Sequence, residues 1–332
     1  MPELRRDPVL GRWIIISTER SKRPTDFIIE EYKTTGGFCP LCPGNEKTTP
    51  REVMVLGREP GLPPNSAGWQ LRVVPNKFPA LVIEGDLEKR GEGLYDRMNG
   101  IGAHEVVIES PSHEDRFTYL PPEQMLLVFR AFRSRIIDLA QDSRFRYVMI
   151  FKNYGRAAGA SLEHPHSQLV ALPILPRMVT SELEGTLSYF KYKDRCIYCD
   201  IIRQEMQQDI RLVCQNELFV TLSPFAPRSP FEMWILPKHH SSSYSEQSDE
   251  SLRLLVDIFA ESLKRLDACI PNVPYNFVLH TQPLRSPPLE HYHWHFEIVP
   301  KLTSIAGFEG GSGFYINPMP PEETCRYLRE AL

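Results

Sequence analysis

Two stretches of the chain repeat apolar residues at helical spacing: Met125, Val128, Phe129, Phe132, Ile136 and Leu139, then Leu252, Leu255, Val256, Phe259, Leu263 and Leu266. Steps of three and four gather each set into one stripe, so each predicts an amphipathic helix lying on a core. Pro122 suits the first helical position of one, while Asp249 and Glu250 fall in the first turn of the other, where the helix dipole favours acids. A β-rich run precedes each helix, Glu105-Val106-Val107-Ile108 and Glu232-Met233-Trp234-Ile235-Leu236, and another follows, Tyr147-Val148-Met149-Ile150-Phe151 and Tyr275-Asn276-Phe277-Val278-Leu279. Each half then closes on a histidine-bearing strand, His164-Pro165-His166-Ser167-Gln168 or His293-Trp294-His295-Phe296-Glu297.

That order of elements is an internal repeat. A Cys-x-x-Cys pair opens each half, Cys39/Cys42 and Cys196/Cys199, and a histidine follows the first β-run, His113 or His240. Eight residues lead from His113 to Pro121 and from His240 to Ser248, and 51 or 53 residues separate the middle histidine from the first strand histidine. Several short strands with one main helix predict an α+β class, each unit an antiparallel sheet with the helix packed on one face. The polar stretch from 177 to 194 divides the units, giving 1–185 with the first histidine strand and 186–332 with the second. A length of 332 residues agrees with about two domains.

Charge and composition narrow the function. The net charge is −4 and the basic residues are dispersed, without the basic stripe a nucleic-acid binder needs to release counterions. No stretch approaches the roughly 18 apolar residues of a membrane helix, and the N-terminus carries no apolar leader, so a cytoplasmic protein without a membrane partner is expected. Thirty prolines, in punctuations such as Leu62-Pro63-Pro64 and Ser286-Pro287-Pro288, predict many loops and short strands. Seven cysteines would be reduced thiols in that compartment rather than a disulfide framework, and the two Cys-x-x-Cys pairs suggest metal. Cys214, Cys269 and Cys325 read as small apolar residues.

Structural zinc takes four Cys or His ligands in a tetrahedron, and a Cys-x-x-Cys turn supplies two of them locally. The repeat therefore predicts one zinc at Cys39, Cys42, His113 and His164 and a second at Cys196, Cys199, His240 and His293, two per chain. His239 competes with His240 for its place. Glu182, His280, His293 and His295 form an overlapping alternative whose N and O donors would suit iron as well as zinc.

On a strand, His164, His166 and Gln168 would line one surface. With His164 on zinc, His166 stands free beside a rigid anchor, and a neutral imidazole fixed at one nitrogen is a competent nucleophile toward phosphorus. Gln168 offers an amide donor where charge develops on a transferring phosphoryl group. Just upstream, Asn153-Tyr154-Gly155-Arg156-Ala157-Ala158-Gly159-Ala160-Ser161 is a small-residue loop through which backbone N–H groups and Ser161 could approach phosphates.

The His164-Pro165-His166-Ser167-Gln168 strand resembles the active-site strand of the galactose-1-phosphate uridylyltransferase family, a transferase branch of the histidine-triad superfamily. Arg20-Ser21-Lys22-Arg23-Pro24, Val74-Pro75-Asn76-Lys77-Phe78-Pro79-Ala80, the loop from Asn153 to Ser161 and Pro230-Phe231-Glu232 carry the likeness over almost the whole chain. The resemblance implies two histidine-triad-like units, a homodimer, and nucleotide sugar and sugar phosphate substrates. It implies that His166 takes the nucleoside monophosphate covalently, that Arg20, Arg23, Asn153, Ser161 and Gln168 hold its phosphates, and that Asn76 belongs to the nucleoside pocket. The first expectation is a UDP-glucose:hexose-1-phosphate uridylyltransferase working on galactose 1-phosphate by double displacement. The segment Gly307 to Pro318 has Tyr315 where well-known uridylyltransferases carry a glutamine for the hexose, and is similar to a plant ADP-glucose phosphorylase branch that moves AMP to phosphate. That branch also shares the second Cys-x-x-Cys. A histidine-triad hydrolase would carry a third histidine in place of Gln168, and a zinc scaffold without activity would leave His166 and Gln168 unexplained.

Overall fold

Alternating burial builds the strands, and the same alternation decides which side chains meet. The computed structural model describes residues 1–17, 23–27, 29 and 37–332. The first half contains β1 (Glu3–Arg6), β2 (Trp13–Ile16), β3 (Met54–Leu56), β4 (Leu71–Pro75), β5 (Arg90–Glu92), β6 (Tyr95–Arg97), β7 (Ala103–Ile108), α1 (Pro122–Leu139), β8 (Tyr147–Tyr154) and β9 (His166–Leu172). The second contains α2 (Arg177–Lys193), α3 (Ile197–Gln208), β10 (Leu212–Gln215), β11 (Phe219–Leu222), β12 (Met233–Pro237), α4 (Asp249–Cys269), β13 (Tyr275–His280), β14 (His295–Pro300), α5 (Gly307–Ser312), β15 (Tyr315–Asn317) and α6 (Pro321–Glu330).

One ten-stranded sheet runs β10-β11-β12-β14-β13-β8-β9-β7-β4-β3. Its two five-stranded halves repeat one another strand for strand and meet where β13 pairs antiparallel with β8. The strand pairs within each half are antiparallel as well. This is the expected α+β architecture. A small second sheet joins β1, β2 and β15, and β5 with β6 forms a hairpin.

The two predicted helices, α1 and α4, pack on one face of the large sheet and share one apolar core with Val107, Leu169, Ala171, Phe277 and Phe296. Phe259 of α4 sits at its centre, with ring centroids 5.3 Å from Phe129, 5.4 Å from Phe277 and 5.1 Å from Phe296. Ser248 caps α4 by accepting from the Ser251 N–H at 3.1 Å. Arg130 and Arg133 of α1 reach Asp249 at 2.7 and 2.6 Å, which ties the start of α4 to its neighbour.

Two expectations shift. The histidine strands begin at His166 and His295, so His164 and His293 lie just before them. In the first half Pro165 has no N–H to give a ladder, which delays the strand. The polar stretch expected to separate the units is instead α2, and position 185 lies in its middle. Its buried residues are Val179, Glu182 and Thr186, a narrow face with too little apolar character to register as a helix stripe. Among the described residues, no helix is long and apolar enough to cross a membrane.

Gly185 shows how tightly α2 is set down. A Cβ added there would lie 1.9 Å from the Val9 carbonyl oxygen, in buried backbone that has no room to yield. Inside a helix, alanine is ordinarily about 1 kcal/mol better than glycine. Here Gly185→Ala is expected to destabilise instead, by about 1–3 kcal/mol of overpacking. Urea denaturation checks the sign, and a gain in stability would contradict the packing of α2 on the N-terminal segment.

Candidate active site

His166 opens β9 on the face away from α1 and α4, at the wall of a cleft of about 1460 Å³ that Asn153, Gly155, Ser161, His164 and Lys301 also line. Its Nδ1 lies 2.8 Å from the His164 carbonyl oxygen. A carbonyl only accepts, so Nδ1 carries the proton and Nε2 keeps its lone pair. Burial, and after it the charge of Lys152, lower the His166 pKa to about 4. The ring is neutral near pH 7, the form a nucleophile needs.

Lys152 works from the opposite face of the sheet. Its ammonium donates to Glu109 at 2.6 Å and to the His166 carbonyl at 2.8 Å, and the Ser167 hydroxyl donates to the other oxygen of Glu109. Lys152, Glu109, His166 and Ser167 are all buried. Lys152→Met strands the Glu109 carboxylate and is expected to cost about 3–5 kcal/mol, whereas Lys152→Met with Glu109→Gln should recover most of it. Equal loss in the single and double variants, read by thermal and urea unfolding, would show that the two charges do not compensate each other.

The four residues of each Cys/His set come together. Donor atoms of Cys39, Cys42, His113 and His164 lie within 4.8 Å of one another, as do those of Cys196, Cys199, His240 and His293. Cys42 Sγ is 3.3 Å from His113 Nδ1 and 3.5 Å from His164 Nδ1; Cys199 Sγ is 3.5 Å from His240 Nδ1 and 3.7 Å from His293 Nδ1. Those separations match the edge of a tetrahedron around zinc, about 3.5 Å for Zn–S near 2.3 Å and Zn–N near 2.0 Å. Three of the four outer nitrogens are occupied by carbonyls, His164 Nε2 on Ser110 at 2.8 Å, His293 Nε2 on Pro237 at 2.9 Å and His240 Nε2 on Leu289 at 3.2 Å, while His113 Nε2 lies 3.8 Å from the Glu163 carboxylate. This leaves each Nδ1 lone pair facing its thiol pair, as a ligating histidine requires. His240, not His239, joins the second set.

The overlapping alternative forms differently from its expected composition. Glu182, His280 and His295 do cluster, but with Glu297 in place of His293. His295 and Glu297 are two apart on β14 and share a face, whereas His293 precedes the strand and turns to the cysteines. His280 Nδ1 is 3.1 Å and its Nε2 3.4 Å from the carboxylates of Glu182 and Glu297. Burial opposes charge on that ring, yet the two carboxylates prevail and raise it to about 10. Arg228 adds a guanidinium 2.5 Å from Glu297. Two carboxylates thus face two organic cations.

The expected phosphate contacts are dispersed. Asn153 and Ser161 line the cleft with His166, while Arg23 does not and is exposed. Arg20 lies outside the described residues. Asn76 takes the Phe78 N–H on Oδ1 at 2.9 Å and places Nδ2 3.2 Å from His104 Nε2. The same His104 Nε2 is 2.8 Å from Gln168 Oε1. His104, Lys152, Glu109 and Glu297 escape sequence reasoning; the only trace of the first is a polar residue alternating with buried Ala103 and Glu105 on β7.

A family model described as galactose-1-phosphate uridyl transferase, N-terminal domain, matches residues 1–176, and one described as a domain of unknown function (DUF4921) matches 124–332. An ADP-glucose phosphorylase of Arabidopsis thaliana is 38% identical over 99% of this chain and 93% of its own length. A galactose-1-phosphate uridylyltransferase of Thermotoga maritima is 29% identical over 99% of this chain and 98% of its own. A crystal structure of an ADP-glucose phosphorylase from Arabidopsis thaliana with bound ADP-glucose superposes with a TM-score of 0.85 at 35% identity, covering 99% of each chain. With matches of this length and identity, the chain belongs to the galactose-1-phosphate uridylyltransferase family of nucleotidyl-transferring enzymes, the ADP-glucose phosphorylase branch included.

Proposed function

We propose that this protein moves a nucleoside monophosphate from a nucleoside diphosphate sugar to a phosphate-bearing acceptor by way of His166. The single observation that carries the reading is the His166 ring, fixed at Nδ1 by the His164 carbonyl with Nε2 free at the cleft. In the first half-reaction the Nε2 lone pair forms a bond to the α-phosphorus while the bond to the bridging oxygen breaks, and the sugar phosphate leaves. In the second, an oxygen of the acceptor phosphate attacks the same phosphorus and the N–P bond breaks, returning neutral His166. The proton stays on Nδ1, donated to the His164 carbonyl throughout, and the amide of Gln168 donates to the α-phosphoryl oxygens. An amide neither gives up nor takes a proton, so Gln168 does not activate water.

Among acceptors and bases, we place AMP transfer from ADP-glucose to phosphate first, which reverses the ranking drawn from the sequence alone. The full-length relative at 38% identity, the second Cys/His set and Tyr315 at the C-terminal segment support it. UMP transfer from UDP-glucose to galactose 1-phosphate is the second reading, favoured by the match of the uridyl transferase model to residues 1–176. Steady-state rates with the two substrate pairs decide between them, and ADP-glucose with phosphate should give the higher kcat/KM. Nucleotide sugar without acceptor should leave a base-stable, acid-labile nucleoside monophosphate on His166, absent from His166→Gly. A full adduct on that variant, or release of monophosphate at the rate of nucleotide sugar consumption with saturating acceptor, would remove the transferase reading.

The Cys/His sets are proposed to hold zinc as structural ions. Elemental analysis should give two zinc per chain, and Cys196→Ser with Cys199→Ser should lose one and lower the melting temperature, because ligand binding is folding free energy in such sites. A third metal equivalent, or one iron beside one zinc, would instead assign an ion to Glu182, His280, His295 and Glu297.

A further inference from the structure

We infer that His104 is a positioning residue which sets the direction in which Gln168 presents its amide. The backbone donor beside the ring fixes its tautomer. The Ala80 backbone N–H, which can only donate, reaches His104 Nδ1 at 3.1 Å, so that nitrogen must accept. The ring proton therefore sits on Nε2, and the atom 2.8 Å from it has to be an acceptor, the Gln168 carbonyl oxygen. The Gln168 amino group then points away from His104. It meets no protein acceptor among the described residues and is left as a donor on the His166 face of β9.

This orientation is chemically decisive. An amide turned end for end would show its oxygen to an anionic phosphoryl group and repel what it should stabilise. Asn76 adds no competing acceptor: its Oδ1 is engaged by the Phe78 N–H, and its Nδ2, 3.2 Å from His104 Nε2, is a donor that makes no hydrogen bond to a nitrogen already carrying the ring proton. Cross-strand register supplies the contact: Val106 stands opposite Gln168, so His104, two residues back on β7, is its diagonal neighbour on the same face.

The inference rests on the nucleotidyl-transfer reading for its catalytic consequence but not for its geometry, and two measurements separate them. Nitrogen-15 spectra of the His104 ring in the whole protein should show the Nε2–H tautomer, and Nδ1–H would overturn the assignment whatever the enzyme does. For transfer, His104→Leu is expected to lower kcat on the order of 10- to 100-fold, less than the on the order of 100- to 1000-fold expected for loss of the donor itself in Gln168→Ala. KM should change little. His104→Gln, whose amide nitrogen reaches the Nε2 position, should restore most of the rate. In a Gln168→Ala background His104→Leu should cost nothing more, since its route is already cut. An equal loss in both backgrounds, a rate for His104→Gln no better than for His104→Leu, or an effect confined to KM would overturn the positioning role. Absence of any His166 adduct in the unsubstituted protein would sink the transfer reading and leave the tautomer result standing.

Discussion

Everything at the cleft depends on His164, which is held at three points. Its Nδ1 faces the Cys39/Cys42 pair, its Nε2 bonds the Ser110 carbonyl, and its own carbonyl accepts from the His166 Nδ1–H. The backbone between a tethered ring and a reactive ring is two residues long. A side chain so placed loses little freedom when the reaction begins, because the cost of ordering it was met on folding. The Cys/His set therefore contributes orientation, and its thiols need not touch a substrate.

The second half repeats this arrangement almost atom for atom, which separates what is necessary from what is sufficient. His295 Nδ1 lies 3.0 Å from the His293 carbonyl, and His293 faces Cys199 as His164 faces Cys42. Yet His295 is fully buried. Its ring stacks on His280 at 4.6 Å, Tyr198 lies against it at 4.9 Å, and Glu182 from α2 closes the polar space beyond. One repeat is open at its histidine and the other is closed over it, a difference in access that supports the proposal for His166.

Much of this was legible because it is local or periodic. Helix stripes, Cys-x-x-Cys pairs and a histidine two residues from its anchor are written within a few positions of one another. What stayed hidden depends on partners far along the chain. His104 meets Gln168 through β7–β9 register 64 positions away, and Lys152 meets Glu109 across 43. Glu297 was visible as part of the second histidine strand, but nothing in the sequence told which of His293 and Glu297 would face Glu182; strand onset at His295 decided that. Helix α2 was missed for the opposite reason, since its buried face is built from a valine, a glutamate and a threonine rather than an apolar stripe.

Buried ion pairs explain why the register holds. Glu105 of β7 accepts from Nη2 and Nε of Arg135 on α1, at 2.7 and 2.8 Å, and Glu109 just beyond β7 is shared by Lys152 of β8 and Ser167 of β9. Such pairs add little net stability over apolar residues of the same size, but a misplaced one leaves a charge buried alone. If β9 slipped by one residue, His166 and Gln168 would turn to the helix face and Ser167 to the cleft, and Glu109 would lose its hydroxyl donor. The same slip would turn Leu169 and Ala171 out of the core they share with Val107, so apolar burial and the Glu109 pair specify the same register. The charges under the sheet thus act on the chemistry above it: they hold β7, β8 and β9 in the one register that brings His166 to the cleft and His104 behind Gln168.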